Sequence, residues 1–197
     1  MPGRKILGGK SSDVIISVIE GESITIPAGG GIRKDEIHSI SWFKGKNIRH
    51  QVIVNSVNRQ SGRFSIVNAY GDLMIQNVSR EDAGYYTVQV VKSGEENQET
   101  MTYPLDVYYM DFPTLTSNTK NNNDSKYIIF HCQWSEIYPK MKPNVTWIQN
   151  GNLLDPNTIK YKGSNTIINR VVYQVSENDY GNYACRVTVE TMAGNMN

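Results

Sequence analysis

The chain reads as an all-β protein of two tandem sandwich domains, and three observations predict this. Apolar residues fall in short β-branched groups, Gly, Asn, Asp or Ser separates most groups, and no long window keeps the helical period of 3.6. The first series runs Val14-Ile15-Ile16, Ile24-Thr25-Ile26, Ile40-Ser41-Trp42-Phe43, Val52-Ile53-Val54, Phe64 to Val67 and Leu73-Met74-Ile75, then Tyr85 to Val91 and Tyr103 to Tyr109. A weaker series follows: Tyr127 to Phe130, Asn144 to Ile148, Ile167 to Val175 and Tyr183 to Val189. Between them stand Asp111-Phe112-Pro113 and a polar run from Ser117 to Ser125. Proline cannot donate to a sheet ladder and Asn121-Asn122-Asn123 is poor strand material, so the boundary is placed near 109–113 and the Asn run is read as a turn. The expected organisation is a tail over 1–11, a first domain over 12–109 and a second over 110–197.

Composition narrows the functional classes. Twenty Lys and Arg against 19 Asp and Glu leave a formal net charge of +1, which gives no global attraction for nucleic acid. No apolar stretch reaches the roughly 18 residues needed to span a bilayer. A membrane connection is therefore expected only through a segment outside this chain. The two cysteines, Cys132 and Cys185, lie 53 residues apart. The histidines, His38, His50 and His131, do not form a metal-ligand spacing with them, so a disulfide is the expected pairing and no metal or cofactor is expected. Sequons at Asn77, Asn123 and Asn144 point to the same oxidising compartment, and to an extracellular protein whose leader has been removed.

Two motifs define the sandwich type. In the second half, Cys132 is followed by Trp147 and by Asp179-Tyr180-Gly181-Asn182-Tyr183-Ala184-Cys185. This is the Cys…Trp…Asp-x-Gly-x-Tyr-x-Cys pattern of an immunoglobulin domain: strands B and F are bridged, Trp147 on strand C packs on the bridge, and Tyr183 supplies the tyrosine corner. The spacing suggests a C2- or I-type domain. Its last strand, G, is expected to be missing, because only a turn at Ala193-Gly194-Asn195 follows Glu190.

The first half has the same skeleton without cysteines. Ala28 and Val88 stand where the bridge belongs, and Trp42 is the core tryptophan. Both replacements are apolar, as a buried unbridged pair requires. Gly62-Arg63-Phe64-Ser65-Ile66 resembles the strand D start of a variable domain, where the arginine pairs with the aspartate of the E–F turn, here Asp82. The first domain is thus read as V-type without a disulfide.

The string Asp72 to Ser93, with Leu73-Met74-Ile75-Gln76-Asn77-Val78 and Gln89-Val90-Val91-Lys92-Ser93, resembles the N-terminal domain of the carcinoembryonic-antigen-related cell adhesion molecules. Trp42-Phe43-Lys44-Gly45 and His50-Gln51-Val52 extend the resemblance, which covers roughly residues 40 to 109. It implies a cysteine-free V domain that mediates homophilic or heterophilic adhesion through the face of strands G, F, C and C′. The signalling lymphocyte-activation family also lacks the V-domain bridge, although its second domain usually carries a second disulfide, absent here. A bias to 20 Asn and 20 Ile fits an alternative, a virus-encoded decoy or immune-receptor mimic.

Alternation assigns the binding face. With Trp42, Tyr86, Val88 and Val90 facing the core, Ser41, Phe43, Tyr85, Thr87, Gln89 and Val91 point outward, with Gln51 beside them. Aromatic anchors within a polar rim describe a protein–protein interface. The expected partner is an immunoglobulin-superfamily protein or a second copy of the chain. Catalytic readings fare worse. No Gly-x-Ser-x-Gly, His-Glu-x-x-His or P-loop is present, Gly29-Gly30-Gly31 reads as a turn, Glu177 and Asp179 belong to the E–F turn, and Arg4, Lys5 and Lys10 read as a solvated terminus. No enzyme is expected.

Overall fold

The structure, a computed structural model, describes residues 10–11, 15–29, 34–49, 51–94, 98–122, 125–154, 167–173 and 176–196. The chain divides into two compact units, Met1–Tyr108 and Tyr109–Asn197. Among the described residues every regular element is a strand or a single 3₁₀ turn. Asn123, His50, Arg4, Lys5, Gly30 and Gly31 lie outside the described residues.

In chain order the first unit holds β1 (Lys10–Ser11), β2 (Ile16–Ile19), β3 (Ile24–Ile26), β4 (Ile37–Lys44), β5 (Val52–Asn55), β6 (Gln60–Ser61), β7 (Phe64–Ile66), β8 (Leu73–Ile75), β9 (Gly84–Lys92) and all but the last two residues of β10 (Gln98–Met110). One sheet runs β1-β10-β9-β4-β5, with β2 also parallel to β10; the other runs β3-β8-β7-β6. Strands β4, β5, β9 and β10 correspond to C, C′, F and G. Lys10 and Ser11, expected in the tail, are a strand paired with Met101 and Thr102, since backbone pairing to a sheet edge asks nothing of side-chain polarity.

Between the sheets, Ile26, Trp42, Leu73, Ile75, Tyr86 and Val88 are fully sealed, and Ala28 belongs to the same cluster. Ala28 follows β3 on one sheet and Val88 lies on β9 of the other. Small apolar residues thus occupy the place of a bridge, and packing replaces the stabilisation of about 2–4 kcal/mol that a disulfide supplies. Trp42 donates Nε1–H to the Gly71 carbonyl at 2.8 Å. Gly71 holds φ 89°, and a Cβ there would come 1.9 Å from Ile40 Cδ1. Only glycine combines that backbone with that approach.

In the second unit β11 (Thr114–Asn122), β12 (Ser125–Gln133) and β16 (Ile167–Tyr173) form one sheet. The other contains β15 (Asn152–Leu153), β14 (Asn144–Gln149), β17 (Tyr183–Thr191) and β18 (Gly194–Met196). The short β13 (Ile137–Tyr138) pairs with Tyr109 and Met110. Two expectations are corrected here. Asn121 and Asn122, read as part of a turn, are the end of β11, because pairing with β12 continues to Ser125 and overrides weak propensity. The missing last strand is also present in part: Gly194–Met196 pairs antiparallel with β17 and buries Met196.

Cys132 and Cys185 are bonded, with Cα atoms 6.1 Å apart. Trp147, directly opposite Cys185, is fully buried. Phe130 stacks on Tyr183 at 4.2 Å and lies 6.4 Å from Trp147. Trp134, between β12 and β14, is also buried, which its sequence context did not reveal.

Candidate recognition face

Both units build the same corner before strand F. In the first, Asp82 Oδ2 accepts the Ser79 amide at 2.8 Å, while Tyr86 donates its hydroxyl to the Asp82 carbonyl at 2.9 Å. In the second, Asp179 Oδ2 accepts the Ser176 amide at 2.8 Å, and Tyr183 donates to the Asp179 carbonyl at 2.8 Å. The first unit adds Arg63, whose Nη1 and Nη2 reach Asp82 at 2.7 and 3.0 Å. Burial alone would raise the Asp82 pKa, but the Arg63 guanidinium and the Ser79 donors outweigh it and hold the carboxyl below its usual range. Burial beside Asp82 pushes the Tyr86 phenol far up, so it remains a hydrogen-bond donor. This corner fixes the start of β9, and thereby which β9 side chains face outward.

Register then defines the outer face. On β9, Tyr85 lies opposite Pro104, Thr87 opposite Thr102, Gln89 opposite Thr100 and Val91 opposite Gln98. On the other side Ser41 pairs with Gln89 and Phe43 with Thr87, while β5 contributes Asn55 opposite Ser41 and Val52 opposite Phe43. None of these residues belongs to the core between the sheets. None is Asp, Glu, Lys or Arg, in a chain where one residue in five is charged. Depletion of charge is the compositional mark of an interface centre.

Exposure on this face departs from the alternation argument at two positions. Phe43 and Thr87, expected to be wet, are only 6% and 2% exposed. They sit opposite one another between neighbouring strands, and Thr87 donates its hydroxyl to the Gly45 carbonyl at 2.7 Å. Its one proton being used there, the Thr102 hydroxyl at 2.9 Å is the donor to Thr87. The apolar groups that do reach solvent are Tyr85, 37% exposed, and Val52, 43% exposed. Val52 was missed because a bulge at Trp42/Phe43 shifts the β5 register, which sequence alternation does not reveal. Ser41, Gln89 and Val91 are half-buried and Gln51 is exposed. Gln89 donates Nε2–H to Gln98 Oε1 across the strand pair, and Lys46 Nζ lies 4.2 Å over the Tyr85 ring at the edge.

A shallow cavity of about 320 Å³ lined by Ile37, His38, Ile40, Ser56, Arg59, Ile66, Ala69 and Gly71 contains no acid to pair with its bases. Among the described residues no group of three His, Cys, Asp or Glu converges as a metal site, and no helix is long and apolar enough to cross a membrane. Asn77 and Asn144 are exposed.

The immunoglobulin V-set domain family matches residues 11–108, and an immunoglobulin domain family matches residues 113–196. The chain is a tandem pair of immunoglobulin domains. Among curated relatives, pregnancy-specific glycoprotein 22 of Mus musculus is 32% identical over 99 residues, 42% of this chain and 21% of that protein. Hemicentin-1 of Homo sapiens is 28% identical over 64% of this chain and 2% of its own length. The immunoglobulin pair therefore spans only a small part of these relatives. Among solved structures, the N-terminal eight immunoglobulin domains of Down syndrome cell adhesion molecule superpose with TM-score 0.62 at 16% identity, over 96% of this chain and 22% of that one. A mouse coronavirus receptor-binding domain complexed with its murine receptor gives 0.51 at 20% identity, over 87% of each chain. These likenesses carry the fold. The relatives are immunoglobulin-superfamily proteins of the adhesion and recognition type, extracellular or at the cell surface.

Proposed function

We propose that this tandem is an extracellular recognition ectodomain that binds an immunoglobulin-superfamily protein, or a second copy of itself, through the outer face of β10, β9, β4 and β5. The observation that carries the reading is the charge-free centre of this face, with Tyr85 and Val52 exposed among Ser41, Gln51, Gln89 and Val91 and Lys46 at its edge. The resemblance of residues 40 to 109 to the carcinoembryonic-antigen-related adhesion family supports the same face. Glycans at Asn77, beyond β8 of the opposite sheet, would leave it open.

Tyr85 replaces Phe43 as the anchor to test, because truncating the buried Phe43 would disturb folding together with binding. Sedimentation of the chain, and surface binding to a panel of immunoglobulin ectodomains, would compare Tyr85→Ala with Tyr70→Ala. Tyr70 is 56% exposed in the β7–β8 turn and provides a chemically matched control. Losing an interface anchor costs on the order of 2 kcal/mol, whereas a surface substitution elsewhere stays within about 0.5 kcal/mol. Equal affinities for both variants would refute the face.

A further inference from the structure

Charge is unevenly distributed in the first unit. Between Glu36 and Asp72 the sequence holds Lys44, Lys46, Arg49, Arg59 and Arg63 and no carboxylate, although cations and anions balance at 20 to 19 over the chain. Two of these cations are answered. Arg63 is held by Asp82, and Lys44 lies 3.8 Å from the same carboxylate while donating to the Glu81 carbonyl. Lys46, Arg49 and Arg59 are exposed, and among the described residues none of the three makes an ion pair. Arg59 is braced through Nη2 by the Ile66 and Asn68 carbonyls, which fix the guanidinium without neutralising it.

Their placement follows from topology. Strand β5 is the outermost strand of its sheet, Lys46 and Arg49 lie in the turn that precedes it, and Arg59 lies in the turn that follows. Four residues of strand at about 3.3 Å each separate the turns, so the cations flank a strand on the order of 13 Å long. An open row of spaced cations gains Coulomb energy additively from a repeating anion.

We infer that the β5 edge of the first unit is a binding surface for a linear sulfated polysaccharide. The extracellular setting of the immunoglobulin relatives is where such a polymer is met, and in that respect the inference rests on the ectodomain reading. Its cations lie in the turns that flank β5, outside β9, and Lys46 alone reaches across to rest on the Tyr85 ring.

The test uses the full chain on immobilised heparin under a salt gradient, with titration of a heparin decasaccharide. The double variant Lys46→Glu with Arg49→Glu is compared with Lys120→Glu and Lys140→Glu, exposed lysines of the second unit that give the same change in net charge. The edge variant should lose at least tenfold in affinity and the control less than twofold. Desulfated heparin and poly-L-glutamate should bind at least tenfold more weakly than heparin, and rising salt should release the complex as screening shortens. Circular dichroism and amide exchange establish that both variants are folded. Gln89→Ala should retain heparin binding, which separates this site from the recognition face. Absence of retention, equal losses in the two double variants, or equally tight binding of poly-L-glutamate would overturn the inference.

Discussion

Replacing Asp82 by alanine should selectively loosen the first unit. The Asp82 carboxylate is 97% removed from solvent and receives two bonds from Arg63 and one each from the Ser79 amide and hydroxyl. Breaking a fully buried ion pair costs about 3–5 kcal/mol. The Arg63 side chain is 38% exposed and keeps its bonds to the Gln76 and Asn77 carbonyls, so solvent offsets part of that loss and about 2 kcal/mol remains for the pair. Loss of the cap to Ser79 adds about 1 kcal/mol. The total, about 3 kcal/mol, corresponds to roughly a hundredfold rise in the opening equilibrium. Amide hydrogen exchange on the whole chain reads each unit separately, through peptides covering β9 and β17. Protection across β9 should fall by about that factor while protection across β17 is retained. A change below about threefold in β9, or the same loss in both strands, would refute the reasoning.

The same carboxylate sets a pH dependence. Its folded pKa is depressed, so its contribution is complete above the unfolded value of about 3.9 and is lost as pH falls through the folded value; β9 protection in wild type should therefore decline in acid more steeply than in Asp82→Ala. Gly71→Ala should destabilise the first unit by at least about 2 kcal/mol in denaturant unfolding, from strain at positive φ and collision with Ile40. Chain secreted from a glycosylating host should carry glycans at Asn77, Asn123 and Asn144, read as mass lost on glycosidase treatment; three bare sites would count against the extracellular reading.

The sequence was most legible where a side chain has one possible role. Trp42 and Trp147, Tyr86 and Tyr183, and the Arg63–Asp82 pair occupy positions whose chemistry only the sandwich satisfies. Alternation also assigned the outer face residues to their side of the sheet. It could not assign their exposure, since Phe43 and Thr87 are covered by neighbouring strands and by the Gly45 turn, contacts distant in sequence. The polar strand at Thr114–Asn122 and the short strands Lys10–Ser11 and Gly194–Met196 escaped for a related reason. Backbone pairing with a neighbour stabilises them, and their side chains carry little of that signal.

The placement of the disulfide separates the maturation requirements of the two halves. Cys132 and Cys185 both lie in the second unit, while Ala28 and Val88 leave the first without a sulfur atom at the bridge position. The first unit can therefore reach its native packing without an oxidant, and no thiol–disulfide exchange can reshuffle it. A reductant would act on the second unit alone, withdrawing about 2–4 kcal/mol there. A protein of this design can keep its first domain intact in surroundings where the redox poise varies, with the chemical vulnerability confined to the other immunoglobulin domain.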